Sequence, residues 1–291
     1  MNQEKRKNWF LTFLLLPSLF LFIIFTAYPT IRIFLTSLFL DTGIGGEAKF
    51  VGIKNYIKMF HDPVFYTALK NTLFLVIVVA PISLLLALFF AAVLTTGKFK
   101  ERNFYRTVLF FPSILSLVSV GILWSFIFNP TMGILTAIFG PNAPAVLGSK
   151  KTVMWAIAIV MIWQAAGYYM VMYIASIDNI SKDVYEAADL DGANGWQKFW
   201  NITLPQLKDI LSATIIYVIN GTLTISFSIV NVMTDGGPNR ASEVLTTYMY
   251  KQAMNANFGY GMAIAVFVFT CSIIMSVISN KLIYREESTD E

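Results

Sequence analysis

Six stretches of this chain each carry about 20 nearly uninterrupted apolar residues, the length at which an α-helix crosses the hydrocarbon core of a bilayer. They run approximately over 9–28, 71–95, 107–128, 153–176, 210–232 and 261–284. Lipid offers no water to satisfy backbone N–H and C=O groups, so stretches of this kind are predicted as helices. The fold class that follows is an all-α membrane protein with six transmembrane helices. Pro81 in the second stretch and Pro112 in the third predict kinks, because proline removes an intrahelical hydrogen bond. A soluble alternative is excluded by composition. The chain is 56% hydrophobic and 13% charged, against roughly 25% charged in a soluble domain.

Charge placement predicts the orientation. Basic residues gather as Lys5, Arg6 and Lys7; as Lys98, Lys100, Arg102 and Arg106; as Lys182, Lys198 and Lys208; and as Lys281 and Arg285. A cytoplasmic N-terminus puts all four groups on the cytoplasmic side, as the positive-inside rule favours. An even number of spans then leaves both termini cytoplasmic, with 1–8 and 285–291 as short tails. The basic start before an apolar run also resembles a signal peptide. The run reaches about 20 residues with no small-x-small cleavage site after it, so it is read as an uncleaved first span. The net charge of +4 belongs to these loops and implies no nucleic-acid partner. Cys271 is the only cysteine and His61 the only histidine, so no disulfide, metal site or His-based catalytic set is expected.

Between the spans, 29–70 is the longest loop and lies outside. Its start, 30–39, is apolar apart from Arg32 and predicts an interfacial helix, and 50–56 reads as a turn entering a short amphipathic helix. Outside loops also cover 129–152, rich in proline and glycine, and 233–260. The segments 97–106 and 177–209 are cytoplasmic. No internal repeat or separable soluble domain is visible, so 1–291 is read as one membrane domain.

The polar, tryptophan-rich island EAADLDGANGWQKFWNITLP at 186–205 stands out between two apolar stretches. Ser181 is placed as an N-cap, with Asp183 in the first turn. Ala187 and Ala188 leave little bulk. Gly192 sits where a helix must stop and the chain reverse, which suits a residue free to take positive φ. Trp196, Phe199 and Trp200 recur at helical spacing, and Pro205 is expected to break that second helix. Two short helices joined at a glycine form a docking surface. The competing reading is a helix lying on headgroups, which Glu186, Asp189 and Asp191 oppose by placing acids at an anionic surface.

Glu186-Ala187-Ala188, Gly192 four positions later, then Ile202, Leu204 and Pro205 resemble the coupling loop of the membrane subunits of ABC importers. The resemblance implies that Glu186, Ala187, Ala188, Asp191, Gly192, Leu204 and Pro205 contact a separate ATPase subunit. The loop at 97–106 would sit alongside. The stretch 106–124, Asp235-Gly236-Gly237-Pro238, Leu245, Tyr248, Tyr250, Phe258-Gly259-Tyr260-Gly261 and Ala263 are similar to the maltose-type carbohydrate-uptake subfamily, the binding-protein-dependent transport inner-membrane components. What this implies is one permease of a heterodimer in the bacterial plasma (inner) membrane, working with a second permease subunit, an ABC ATPase dimer and an extracytoplasmic solute-binding protein. It also implies that the chain itself is not an enzyme and holds no cofactor, with ATP and Mg on the ATPase. No GxxxxGK[ST] phosphate loop occurs in the sequence, in keeping with this. The absence of a large extracytoplasmic insertion departs from the longest maltose permeases and fits shorter ones for oligosaccharides or sugar derivatives; a non-sugar solute is the alternative.

Polar residues at lipid depth are costly unless they face a cavity. Gln164, Gly167 and Tyr168 in the fourth span are candidates for the substrate path. So are Asn220, Thr224, Ser228 and Asn231 in the fifth, which fall on one helical face. Interhelical hydrogen bonding is the competing assignment for each. An ion-driven secondary transporter would need ionisable residues at mid-membrane, and these spans hold almost none away from their ends. A membrane enzyme would need a catalytic cluster, and none is gathered.

Overall fold

The computed structural model describes residues 3–43, 45, 47–96, 100–140 and 143–284. Lys98, Arg285 and the tail 285–291, assigned from sequence to the cytoplasm, lie outside them. In chain order the elements are α1 (Gln3–Phe22), a π-helical turn (Ile23–Ala27), α2 (Tyr28–Thr36), β1 (Phe39–Leu40), β2 (Lys49–Phe50), α3 (Lys54–Phe60) and α4 (Pro63–Thr96). Then come α5 (Arg102–Ile114), α6 (Leu117–Ile127), α7 (Ile134–Phe139), α8 (Val153–Asp178), α9 (Lys182–Leu190) and α10 (Gly195–Lys198). A second π turn (Phe199–Thr203), α11 (Leu204–Gln206), α12 (Lys208–Met233), α13 (Leu245–Met254) and α14 (Phe258–Tyr284) complete the chain. Among the described residues, five helices are long and apolar enough to cross a membrane, and α5 with α6 makes a sixth candidate span bent by 100°.

Prolines in this chain do not interrupt the helices that hold them. α4 runs unbroken through Pro81. The chain does not stop at Pro29 or Pro205 either: each is preceded by a π turn, closed by Tyr28 N–H to Ile23 O and by Leu204 N–H to Phe199 O. A widened turn moves the carbonyl that the proline ring would strike, so the helix continues. The first span therefore reaches Thr36, and 30–36 extends that helix where an interfacial segment was expected. Pro112 sits inside α5, and the break follows at Leu115 and Ser116, both with extended ψ near 140° (144° and 134°). Two extended residues turn the chain far more than the expected kink. Ser113 Oγ donates back to the Phe110 carbonyl at 2.6 Å just before the break.

The chain divides into two compact units, residues 1–62 with 248–269, and residues 63–247 with 270–291. In the first, β1 and β2 pair antiparallel with Phe39 opposite Phe50. Asn55 of α3 donates to the carbonyls of Ser37 (2.8 Å) and Phe39 (2.9 Å). The Asp62 carboxylate accepts from the hydroxyls of Tyr248 and Tyr260. A Cβ on Gly259 would overlap the Phe39 carbonyl, so the hairpin seats directly on the first turn of α14.

The second unit is centred on α8, which packs along α4 and α5 and against α12. One buried cluster joins Leu75, Val79, Val153, Ile157, Met161 and Ile229; another joins Ala87, Ala91, Met170, Tyr173 and Val218. Tyr173 and Thr214 share a buried hydroxyl hydrogen bond of 2.8 Å between α8 and α12. The loop after α12 is tied back to α4 by side chains. Asn71 Nδ2 donates to the carbonyls of Ala241 (3.0 Å) and Glu243 (2.9 Å), and Thr72 Oγ1 accepts from Leu245 N–H (3.0 Å). This holds Asp235, Asn239 and Arg240 at positive φ, a conformation unfavourable for residues with a Cβ. Asn71→Leu leaves two carbonyls unpaired, at roughly 1–3 kcal/mol each. The expected result is a lower unfolding midpoint and faster tryptic cleavage after the exposed Arg240; unchanged proteolysis would show that Asn71 does not anchor the loop.

Candidate functional site: the loop between α8 and α12

α9 starts where its sequence says it should. Ser181 is the N-cap, its hydroxyl accepting from Asp183 N–H, and Asp183 occupies the first turn. Ile180 and Ala188 are buried and Val184 is exposed, so the apolar residues at helical spacing here do not all face inward. Asp191 closes the helix as C-cap, and Gly192 follows at φ +75°. A Cβ there would meet nothing; the demand for glycine comes from the backbone angle alone. Ala193 N–H returns to Ala188 O at 2.9 Å, the helix-ending bond of a left-handed cap. Asn194 and Gln197 then form a reciprocal capping box at 2.8 and 2.9 Å, opening α10.

The two arms of this loop are cross-braced. Tyr185 on α9 shares a 2.9 Å hydrogen bond with Thr203 in the π turn, and Lys198 on α10 pairs with Asp189 on α9. Trp196, Trp200 and Phe199 stack edge-on along the second arm, with centroids 5.5 and 5.6 Å apart. Leu204 is half-buried and Pro205 exposed, while Leu207 beneath them is fully buried. Arg102 at the start of α5 makes a two-pronged contact with Asp178 at the end of α8, at 2.9 and 3.0 Å.

Glu186 and Ala187 are exposed, and Glu186 has no partner among the described residues. One turn further, Leu190 is 90% exposed, which sequence reasoning missed. Its signal was available: it lies four residues after Glu186, on the face opposite the buried Ala188. An apolar side chain held in the open beside an unpaired carboxylate, on a braced scaffold, is suited to being covered by another protein.

The intramembrane candidates separate. Gln164 is buried in α8 with no hydrogen-bond partner among the described residues. Tyr168 is half-exposed and stacks edge-on against Tyr169. Gly167 brings two backbones together, since its Cβ would overlap the Leu109 carbonyl of α5. Asn220 is engaged between helices, bonding Ser272 Oγ and, at 3.1 Å, Ser276 Oγ of α14, as well as the Ile216 carbonyl at 3.0 Å. Thr224 and Asn231 on the same α12 face are exposed and Ser228 is half-buried; Thr224 bonds back to the Asn220 carbonyl at 3.2 Å. The stripe therefore begins as a helix–helix clamp and continues as an open polar face. A groove of about 580 Å³ between α4, α5 and α8 is lined by Val78, Ile82, Phe90, Leu109, Trp163 and other apolar residues, a lining that offers a polyol almost nothing to hydrogen-bond.

Residues 83–286 match the family described as binding-protein-dependent transport system inner membrane component. A probable ABC transporter permease, YurN of Bacillus subtilis, is 35% identical across 94% of this chain and 96% of its own length. The arabinooligosaccharides transport system permease AraP of the same organism is 33% identical, covering 91% of this chain and 86% of its own. Among solved structures, a chain of a bacterial ABC transporter involved in import of the acidic polysaccharide alginate superposes with a TM-score of 0.82 at 23% identity, over 97% of this chain and 98% of that one. The fold is that of an ABC importer permease, and the chain belongs to the binding-protein-dependent transport system inner membrane component family, a multi-pass protein of the inner membrane.

Proposed function

We propose that this chain is one permease subunit of an ATP-driven, binding-protein-dependent importer of oligosaccharides or sugar derivatives. Family membership supports binding-protein-dependent transport, and the arabinooligosaccharide permease among its relatives supports a sugar. The observation that carries the coupling role is the exposed Glu186–Leu190 face on a cross-braced loop. There Glu186, Ala187, Ala188, Asp191, Gly192, Leu204 and Pro205 form or shape the surface that an ABC ATPase dimer grips, with the loop and both termini cytoplasmic. ATP and Mg reside on that partner, and the chain performs no covalent chemistry.

Half of the translocation path is supplied here and half by a second permease. The polar face of Thr224, Ser228 and Asn231, with Gln164 and Tyr168, is open or unpartnered within one chain. A hydroxyl-rich solute released by the extracytoplasmic binding protein would find hydrogen-bonding partners on this face, which would be costly turned to lipid. Co-purification from membranes, with uptake of labelled oligosaccharides by the same cells, tests the reading. An ATPase and a second permease are expected to accompany the chain, and uptake to require the binding protein. Purification of the chain alone, with uptake that survives ATP depletion, would sink it; accumulation of a non-sugar solute would keep the ATPase and reassign the cargo.

A further inference from the structure

α3 is inside out for a helix in a water-exposed loop. Its inward face carries Asn55 and Met59, 5% and 0% exposed, whereas Ile53, Ile57 and Phe60 are 65%, 50% and 49% exposed. Those three lie at i, i+4 and i+7, one continuous stripe. The helix cannot roll to hide it. Asn55 is fixed to the Ser37 and Phe39 carbonyls, and Tyr56 shares a 2.7 Å hydrogen bond with Ser37 Oγ.

Two contacts with α14 define what the stripe faces. Lys58 Nζ lies 4.4 Å from the centroid of the Tyr260 ring. Phe60 meets Phe267 edge-on with centroids 6.2 Å apart. Phe267 is seven residues further along α14 than Tyr260, about 10 Å at 1.5 Å per residue. Moving along α14, then, the first neighbour is a lysine and the next is an exposed apolar ring. Their partners Tyr260 and Phe267 lie on a helix whose residues 258–279 are a candidate span and whose Phe269 is itself 45% exposed. Charge then discriminates between occupants. Lys54 and Lys58 form a row directly beside the stripe, and lysine is depleted where proteins bury one another. Lysine bordering an apolar stripe is instead the pattern of helices lying in a bilayer surface, with their stems along the chains and their ammonium groups at the phosphates.

We propose that α3 is a lipid-binding helix, its Ile53–Ile57–Phe60 stripe among the phospholipid acyl chains at the Phe258 end of α14 and its Lys54 and Lys58 ammonium groups at the headgroups. It pins the start of α14 to the bilayer surface through Asp62, Tyr248 and Tyr260.

The test uses the assembled transporter in vesicles of phosphatidylcholine and phosphatidylglycerol, with its other subunits cysteine-free and Cys271→Ser removing the only native thiol here. Nitroxide labels are placed at Ile57→Cys and, on the same stripe, Ile53→Cys. Met59→Cys serves as a protein-buried reference and Glu47→Cys as an exposed one. Collisions with oxygen are expected to exceed those with a water-soluble nickel chelate several-fold at 53 and 57, with the reverse at 47. Nickel collisions dominating at 53 and 57 would place the stripe in water. Low collision rates with both reagents, as at 59, would place it under another subunit. Either result overturns the proposal.

Discussion

Gly167→Leu is expected to yield no assembled protein. A Cβ at 167 would overlap the Leu109 carbonyl oxygen and lie 2.8 Å from the Leu109 carbonyl carbon and 2.9 Å from Phe110 Cα. All three are backbone atoms, so no rotamer change relieves the clash. α5 and α8 touch here main chain to main chain, the approach that small residues permit in membrane helices. Overpacking where side chains can yield costs about 1–3 kcal/mol; here α5 would have to lift away from α8. Gly167→Ala should lower the unfolding midpoint by an amount at the top of that range, and Gly167→Leu should leave no monodisperse material in mild detergent. Recovery of the leucine variant at wild-type yield and midpoint would show that α5 is not seated on α8 in this way.

Glu186→Lys combined with Leu190→Asp is expected to have the opposite signature: a normally folded permease that no longer retains its ATPase. Both side chains are exposed, so neither substitution disturbs a packed contact of this chain. At the centre of an interface, however, reversing a charge and burying a new carboxylate remove the anchor and add a desolvated, unpaired group. Substitutions at such points typically cost 2–4 kcal/mol, about thirtyfold to several-hundredfold in affinity. The check is the ATPase-to-permease ratio after purification, read beside the unfolding midpoint. Retention of the ATPase at wild-type ratio would move the docking face elsewhere, whereas a shifted midpoint would mean that the pair supports the loop's own fold.

Much of this architecture is legible in the sequence because lipid makes hydropathy an honest guide to where helices lie. The limits of α8 and α12, the Ser181 cap and the left-handed Gly192 follow from local rules that depend on a few neighbouring residues. The 100° elbow between α5 and α6 does not. An apolar run over 107–128 looks the same straight or bent, and Pro112 locates the weakness without setting its angle. Pro29 and Pro205 mislead for a related reason. Whether a proline ends a helix depends on whether the preceding turn can widen, and composition does not encode that. Asn220 was legible as a polar residue on a favourable face. Its partners, Ser272 and Ser276, lie more than fifty positions away, so its duty as a clamp needed coordinates. Leu190 is the plainest omission: an apolar residue in a helix is ordinarily taken as core, and only its exposure shows otherwise.

The bracing of the loop by Tyr185–Thr203 and Lys198–Asp189 has a thermodynamic corollary. A limp tether could be dragged from one end and slacken at the other. A truss transmits load both ways, so on the proposed docking the coupling is strong as well as reciprocal: whatever free energy the nucleotide state spends biasing the spans, the state of the spans returns to nucleotide affinity in equal measure. A subunit built this way is as much a sensor as a follower. On that docking, arrival of cargo on the far side of the bilayer would be legible to the proposed ATPase through the same few residues that carry its stroke.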